Sequence, residues 1–175
     1  VDGRDAYVVC GAGVVFAIDA GAGEIRFAVR YERSGNVNNE LSNFGYGTSE
    51  VLVLNGWDDD LAIPVGRQLV VLATDHAQLM SIDRRTGDVL WTTPRTPLEQ
   101  PASYCLGVSG PRLFVAGPNC VRRYDLDKEG KLIWEVAVDD SMGRGMLTDD
   151  AIYLPIGDTI ARLDLRTGEI VDQVE

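Results

Sequence analysis

The segment best suited to metal chemistry is DLDKEG, which begins at Asp125 and alternates oxygen-bearing side chains like the first half of a calcium loop. Asp125, Asp127 and Glu129 would supply the carboxylates. A complete calcium loop ends with a bidentate carboxylate at its twelfth position, and that position here is Val136. We therefore predict no metal site and keep these three residues as weak candidates, because a tight turn explains the same pattern.

The other reactive side chains lack the partners that catalysis requires. His76 is the only histidine, and no zinc ligand or triad member can be named beside it, so we expect an exposed turn residue. The three cysteines are scattered along apolar strands, which favours buried free thiols. A disulfide between Cys105 and Cys120 across neighbouring strands is the alternative. No catalytic residue is predicted.

The side chains discussed above lie on or beside a strand–turn–strand segment that is repeated along the sequence. Its reference copy runs from Ser81 to Trp91: Asp83 can accept backbone N–H groups across the turn, Gly87 supplies a positive φ, and Trp91 can fill space between stacked sheets. Four copies occur, and their aspartates are separated by 64, 42 and 39 residues. The residues of the repeat are Asp19, Gly23, Phe27, Asp83, Thr86, Gly87, Trp91, Asp125, Gly130, Trp134, Asp164, Thr167 and Gly168.

A repeat of about 40 residues with four short strands is typical of β-propeller blades. We predict an all-β propeller segment of about four four-stranded antiparallel blades, whose first blade lacks its innermost strand. The second strand of each unit is the most continuously apolar and should be buried, whereas Arg122, Arg123 and Arg162 on later strands should face solvent. The predicted blade units are residues 5–30, 61–94, 103–138 and 142–175, with an inserted loop over residues 31–60.

Residues 1–175 form a single propeller segment in this interpretation. An arc of blades leaves sheet faces and edges unpaired, an exposure that folded proteins avoid. We therefore expect the chain to be part of a longer polypeptide whose remaining blades complete the propeller. Pairing with another copy of the chain is the alternative.

The pattern A/S-x-D-x-x-T-G-x-x-x-W of this repeat resembles the tryptophan-docking motif of PQQ-like, or quinoprotein-like, β-propellers. This family includes quinone-dependent dehydrogenases and non-catalytic BamB-like proteins. The resemblance implies that the tryptophan of the motif packs against the neighbouring blade, and the fourth copy departs from the motif with Asp172. It also favours a periplasmic or extracellular location.

The resemblance raises the question of a quinone cofactor. Family members that use PQQ have adjacent cysteines joined by a disulfide, together with carboxylate and amide ligands for calcium, and this chain has no adjacent cysteines. We therefore predict neither PQQ nor Ca²⁺ as a cofactor. The alternative is that a quinone and calcium site lies in blades outside this chain.

The net charge of −11 argues against nucleic-acid binding, and no apolar run approaches the about 18 residues of a membrane span. The leading hypothesis is a non-catalytic scaffold whose loops bind a protein or ligand. Part of a quinone-dependent dehydrogenase is one alternative, an extracellular sensor or carbohydrate-binding module is another, and enzyme activity therefore stays open. The candidate binding residues in the loops are Asn39, Asn43, Tyr46, Trp57, Arg95 and Arg144.

Overall fold

The computed structural model describes residues 3–33, 60–73, 76, 78–94, 104–117, 119–138 and 143–174. Within these residues the chain forms fifteen β-strands and one short 3-10 helix, which confirms the all-β class. The strands form four antiparallel sheets, in each of which sequence neighbours pair, and the sheets follow one another as propeller blades. None of the described segments forms a helix long and apolar enough to cross a membrane.

The first blade has three strands, β1 (Asp5–Cys10), β2 (Val14–Asp19) and β3 (Glu24–Arg30). The second has four strands, β4 (Leu61–Val65), β5 (Gln68–Leu72), β6 (Gln78–Asp83) and β7 (Val89–Pro94). The third comprises β8 (Tyr104–Ser109), β9 (Arg112–Gly117), β10 (Cys120–Asp125), the 3-10 helix (Leu126–Lys128) and β11 (Lys131–Ala137). The fourth comprises β12 (Met146–Leu147), β13 (Ala151–Ile156), β14 (Thr159–Asp164) and β15 (Ile170–Val174). The predicted four blades, with three strands in the first, are confirmed for the described residues.

In the described part of the chain, three hydrophobic cores lie between the blades, one for each pair of neighbours. In the first core, Val15 of β2 packs with Leu69, Val71 and Met80 of the second blade. Strands β5 and β9 are mostly buried, as their unbroken apolar runs predict, because a neighbouring blade covers each of their faces. In β13, Tyr153 is only half-buried, because it faces away from the third blade.

Each blade contains a register shift at the same place, between its last two strands. In the second blade, Ser81 pairs with Trp91 whereas Ile82 pairs with Val89, so one extra residue of β7 is accommodated there. Such bulges bend a strand and re-aim its side chains. In the second blade, the shift therefore lies next to Trp91, whose ring points toward the next blade.

Arg122 of β10 contradicts the expectation that charged residues of the later strands face solvent. Its side chain is fully buried, and its Nε donates to Glu135 Oε2 of β11 at 2.7 Å. Arg122 lies on the same face of the sheet as Val115, which packs against the second blade. The prediction was wrong because that blade covers the position, whereas Arg123 and Arg162 are half-buried.

Candidate functional site

The turn of the second blade is organised by its aspartate. Asp83 Oδ1 accepts the backbone N–H groups of Arg85 at 2.8 Å and of Thr86 at 3.2 Å. Asp83 Oδ2 accepts from Arg67 Nε at 2.6 Å, and Gly87 follows with a φ of 82°. The carboxylate thus holds the turn internally and ties it to the connection between β4 and β5.

The aspartate at the start of the turn has a lowered pKa in three blades. Asp19 and Asp164 each accept two backbone N–H groups, as Asp83 does. These hydrogen bonds lower the pKa of all three carboxyls below the ordinary value of 3.8. A carboxyl with a lowered native pKa stabilises the fold while it is ionised. Its contribution is therefore present above pH 3.8 and is lost as the pH falls through the native pKa.

We expect Asp83→Asn to lower the melting temperature at neutral pH more than Asp19→Asn does. The Asp83 side chain is 1% exposed and pairs closely with Arg67, whereas the Asp19 side chain is 27% exposed. The difference between the variants should shrink as the pH falls below 3.8, because the wild-type carboxyls then become protonated. Thermal unfolding of both variants, followed by circular dichroism from neutral pH to below pH 3.8, measures the difference in melting temperature. Equal losses at neutral pH would contradict the prediction.

The third turn uses its extra residue for a short 3-10 helix. Asp125 Oδ1 accepts the N–H of Asp127 at 3.2 Å, and Asp125 Oδ2 pairs with Lys128 Nζ at 3.2 Å. Glu129 and Gly130, with φ values of 55° and 69°, then lead into β11. In the described parts of the chain, no three His, Cys, Asp or Glu side chains are grouped to hold a metal ion. Asp125, the first of the three weak candidates, thus holds the turn through Asp127 and Lys128.

Three aromatic rings lie directly on turn glycines of the following blade. The pairs are Phe27 with Gly87, Trp91 with Gly130, and Trp134 with Gly168. A Cβ added to Gly87 would lie 2.8 Å from Cγ of Phe27, and one added to Gly130 would overlap the Trp91 ring. Glycine is required at these turns for two reasons: it adopts a positive φ, and it leaves room for the close approach of a ring.

The indole nitrogens of the two tryptophans have polar partners. Trp134 Nε1 donates to the backbone carbonyl of Leu165, in the fourth blade, at 3.3 Å. Trp91 Nε1 donates to Gln68 Oε1 of its own blade at 3.2 Å, and Ser81 Oγ donates to the same oxygen at 2.9 Å. These hydrogen bonds orient both rings. The sequence pattern did not single out Gln68, because its role depends on the pairing of β5 with β6.

The first blade differs from the others at its turn glycine, and the fourth blade differs at the place on its last strand where the others carry a ring. Among the described residues, no atom lies within 4 Å of a Cβ added to Gly23. Asp172 is exposed and stands opposite Arg162 of β14, as Trp91 stands opposite Ser81 in the second blade. We call this place on the last strand the docking position; its occupants are Phe27, Trp91, Trp134 and Asp172. The first blade therefore offers an uncovered glycine, and the fourth carries a carboxylate instead of a ring.

Of the residues predicted to bind through loops, Arg144 lies in the described part of the chain. Its guanidinium lies 5.1 Å from the centroid of the Tyr104 ring, and the Tyr104 hydroxyl accepts the N–H of Gly145 at 3.0 Å. Arg144 is thus next to the first strands of the third and fourth blades. Asn39, Asn43, Tyr46, Trp57 and Arg95 lie outside the described residues.

A cavity of about 330 Å³ lies between the first and second blades. His76 lines it and is only 8% exposed, so the expectation of an exposed histidine was wrong. The His76 Nδ1 is hydrogen bonded to the Glu32 carbonyl oxygen at 2.6 Å, and its ring centroid lies 5.0 Å from that of Tyr31. The other lining residues are Arg30, Arg33, Gln78, Met80, Val89 and Thr92. The cavity has a mixed charged and apolar wall.

Cys10, Cys105 and Cys120 are free thiols. The alternative of a disulfide between Cys105 and Cys120 was wrong, because these residues lie on β8 and β10, which are separated by β9. Burial raises the pKa of the Cys120 thiol, and a thiol that stays protonated is a poor nucleophile. Cys120 therefore behaves as a small apolar residue of the third blade.

Two solved structures share this fold over the whole chain. BamB from Moraxella catarrhalis has a TM-score of 0.66 and is 16% identical, and a europium-containing methanol dehydrogenase has a TM-score of 0.69 and is 14% identical. The chain covers 50% of the first and 40% of the second, so it spans half or less of their lengths. At such low identity, the likeness shows the fold alone.

No curated protein sequence matches this chain. Its family is shown by a match to a family model. A family model described as outer membrane protein assembly factor BamB matches residues 11–174, a range that includes all four repeat turns. The repeat, the blades and this match agree, and the chain belongs to the PQQ-like β-propeller family described as outer membrane protein assembly factor BamB.

Proposed function

We propose that the protein is a non-catalytic scaffold, an arc of PQQ-like blades that presents its loops for binding to a protein or ligand. The observation that carries the proposal is the series of three ring-on-glycine contacts, which fixes each blade against the next. Loops on a rigid framework keep a constant spacing and are common binding surfaces. Arg144, beside Tyr104, is the described representative of these loops.

Further blades complete this arc in our proposal, in the same polypeptide or in a partner. The shared fold with BamB over 50% of that chain supports this. In the first blade, Val8 is 45% exposed and no described residue covers Gly23, which suits burial against another blade. The description of the family as an outer membrane assembly factor supports a periplasmic or extracellular location.

Adding PQQ and Ca²⁺ to the protein separates this proposal from a quinone-dependent dehydrogenase. We expect no saturable absorbance band of bound quinone and an unchanged melting temperature. The reason is that the sequence has no adjacent cysteines and that no three His, Cys, Asp or Glu side chains are grouped to hold a metal ion among the described residues. Calcium without quinone is the control. A saturable band that EDTA abolishes, together with a higher melting temperature, would overturn the scaffold proposal.

A further inference from the structure

In the second blade, one side-chain oxygen satisfies two donors on the surface toward the third blade. Gln68 Oε1 accepts from Trp91 Nε1 at 3.2 Å and from Ser81 Oγ at 2.9 Å. Val70, two residues after Gln68 on the same face of β5, packs in the core shared with the third blade. The three hydrogen-bonded side chains therefore lie at the interface between these two blades.

In the third blade, the equivalent positions carry donors alone. The strand register equates Arg112 with Gln68 and Arg123 with Ser81, because each pairs with the corresponding residue of its own blade. A guanidinium has five N–H donors and no acceptor. Trp134 Nε1 donates instead to a backbone carbonyl of the fourth blade at 3.3 Å. The third blade thus has two cationic donors where the second has an acceptor.

The Arg123 guanidinium is incompletely hydrogen bonded. Its Nε is buried and has no hydrogen-bond acceptor among the described residues. Its Nη1 donates to the Arg166 carbonyl in the turn of the fourth blade at 3.3 Å, a long hydrogen bond. Burial and the charge of Arg112 lower the pKa of Arg123, so the two guanidiniums are close enough to repel each other. A buried donor without an acceptor is costly, and a neighbouring like charge adds to the cost.

The carboxylate beside the two arginines is engaged in its own turn. Asp125 favours the charged form of Arg123, but its Oδ2 pairs with Lys128 at 3.2 Å and its Oδ1 accepts the N–H of Asp127 at 3.2 Å. Arg112 is exposed, and its side chain forms no hydrogen bond or ion pair within the part of the chain that the structure describes. The pair of arginines therefore reaches solvent on the Arg112 side and has no carboxylate bound between its members there.

We propose that Arg112 and Arg123 bind a phosphate group, as inorganic phosphate or as a phosphomonoester, between the third and fourth blades. One phosphate oxygen accepts from Arg123 Nε and so takes the role that Gln68 Oε1 has in the second blade. Guanidinium groups bind phosphate through paired, charge-assisted hydrogen bonds. A phosphomonoester carries a charge of about −1.5 to −2 at pH 7, which matches two guanidiniums better than a single carboxylate does.

The overall charge of the protein does not prevent this binding. The net charge of −11 repels anions at long range, but salt screens exposed charges beyond about 8–10 Å. Contacts within the site therefore determine whether phosphate binds. The site lies at the turns of the blades and not in the loops of the scaffold proposal, so the inference goes beyond that proposal.

Phosphate should stabilise the wild-type protein. We expect inorganic phosphate at neutral pH to raise the melting temperature by about 3 °C or more in a saturable manner, measured by circular dichroism. Sodium chloride at the same ionic strength is the control, because it screens charges without forming these hydrogen bonds, and it should give no saturable rise. Glycerol 3-phosphate is titrated in parallel. Saturation at a lower concentration than inorganic phosphate identifies an ester as the ligand, and saturation at a higher one identifies the free ion.

Transferring the residues of the second blade to the third should abolish this effect. In the variant Arg112→Gln combined with Arg123→Ser, the new glutamine can accept from the new serine as in the second blade, so the variant should fold. We expect phosphate to leave its melting temperature unchanged. Arg30→Ser combined with Arg85→Gln is the matched control, because it removes the same charge from exposed positions of the first and second blades. It should keep the wild-type response.

Arg112→Gln alone is a second test, at an exposed position whose substitution leaves the fold intact. We expect it to weaken phosphate binding at least about tenfold, measured by isothermal titration calorimetry. Three results would overturn the inference: phosphate no more stabilising than chloride in the wild type, a wild-type response of the double variant at Arg112 and Arg123, or unchanged affinity of Arg112→Gln. None of these measurements involves quinone, calcium or the loops. Failure of this site and failure of the scaffold proposal are therefore distinguishable.

Discussion

Glu135→Ala is expected to lower the free energy of unfolding by about 1–3 kcal/mol, the size of effect seen when a buried charged group loses a hydrogen-bond partner. The Arg122 side chain is fully buried, and its Nε donates to Glu135 Oε2 at 2.7 Å. Without the carboxylate, the guanidinium keeps its charge in a desolvated place and loses this partner. Chemical denaturation followed by tryptophan fluorescence measures the loss.

Arg122→Met is the matched control for this prediction. The second blade has a methionine at the same place, since Met80 pairs with Val71 as Arg122 pairs with Val115. We expect Arg122→Met to stay within about 1 kcal/mol of the wild type, because the Glu135 side chain is 28% exposed and can be hydrated once the guanidinium is gone, while an apolar side chain fills the buried place of Arg122. Adding Arg122→Met to Glu135→Ala should restore most of the lost stability. A loss below about 1 kcal/mol for Glu135→Ala alone would show that the pair is unimportant.

Trp91→Ala should lower the free energy of unfolding by about 3–5 kcal/mol, the cost of removing a large ring from a packed contact. The ring lies on Gly130 of the third blade, and its Nε1 is fixed by Gln68. Truncation leaves a void between two blades that their sheets cannot close. Urea denaturation measures the change, and a loss below about 1 kcal/mol would refute the proposed packing.

A pair of glycine substitutions separates the ring contact from backbone strain. Gly130→Ala and Gly110→Ala both place alanine at a positive φ, 69° and 58°, which costs about 1–2 kcal/mol. The added methyl meets the Trp91 ring at Gly130 and open space at Gly110. Gly130→Ala should therefore be the more destabilising of the two in the same denaturation experiment. Equal losses would mean that the ring moves away at no cost.

The repeat was predictable because each of its features has a local cause. Asp83 accepts N–H groups two and three residues further along the chain, and Gly87 supplies the φ that closes the same turn. The buried strands β5 and β9 were predictable for a similar reason, since an unbroken apolar run in a short strand indicates cover on both faces. Nothing outside each segment is needed for these conclusions.

Arg122 and His76 were misjudged because their burial depends on distant parts of the chain. His76 is covered through contacts with Tyr31 and with the carbonyl of Glu32, 44 residues away. Arg122 is covered by the second blade through the face it shares with Val115. A charged or polar residue in a later strand or in a turn is expected to be exposed, and only packing against distant residues reverses that expectation.

The sequence by itself determined the blades, their order and the family, because turn chemistry and apolar runs act over a few residues and recur along the chain. Only the tertiary structure decided which turn glycines are covered by a ring, because each ring and its glycine come from different blades and meet only when the sheets stack. Among the described residues, no ring covers Gly23, and Asp172 is exposed at a docking position.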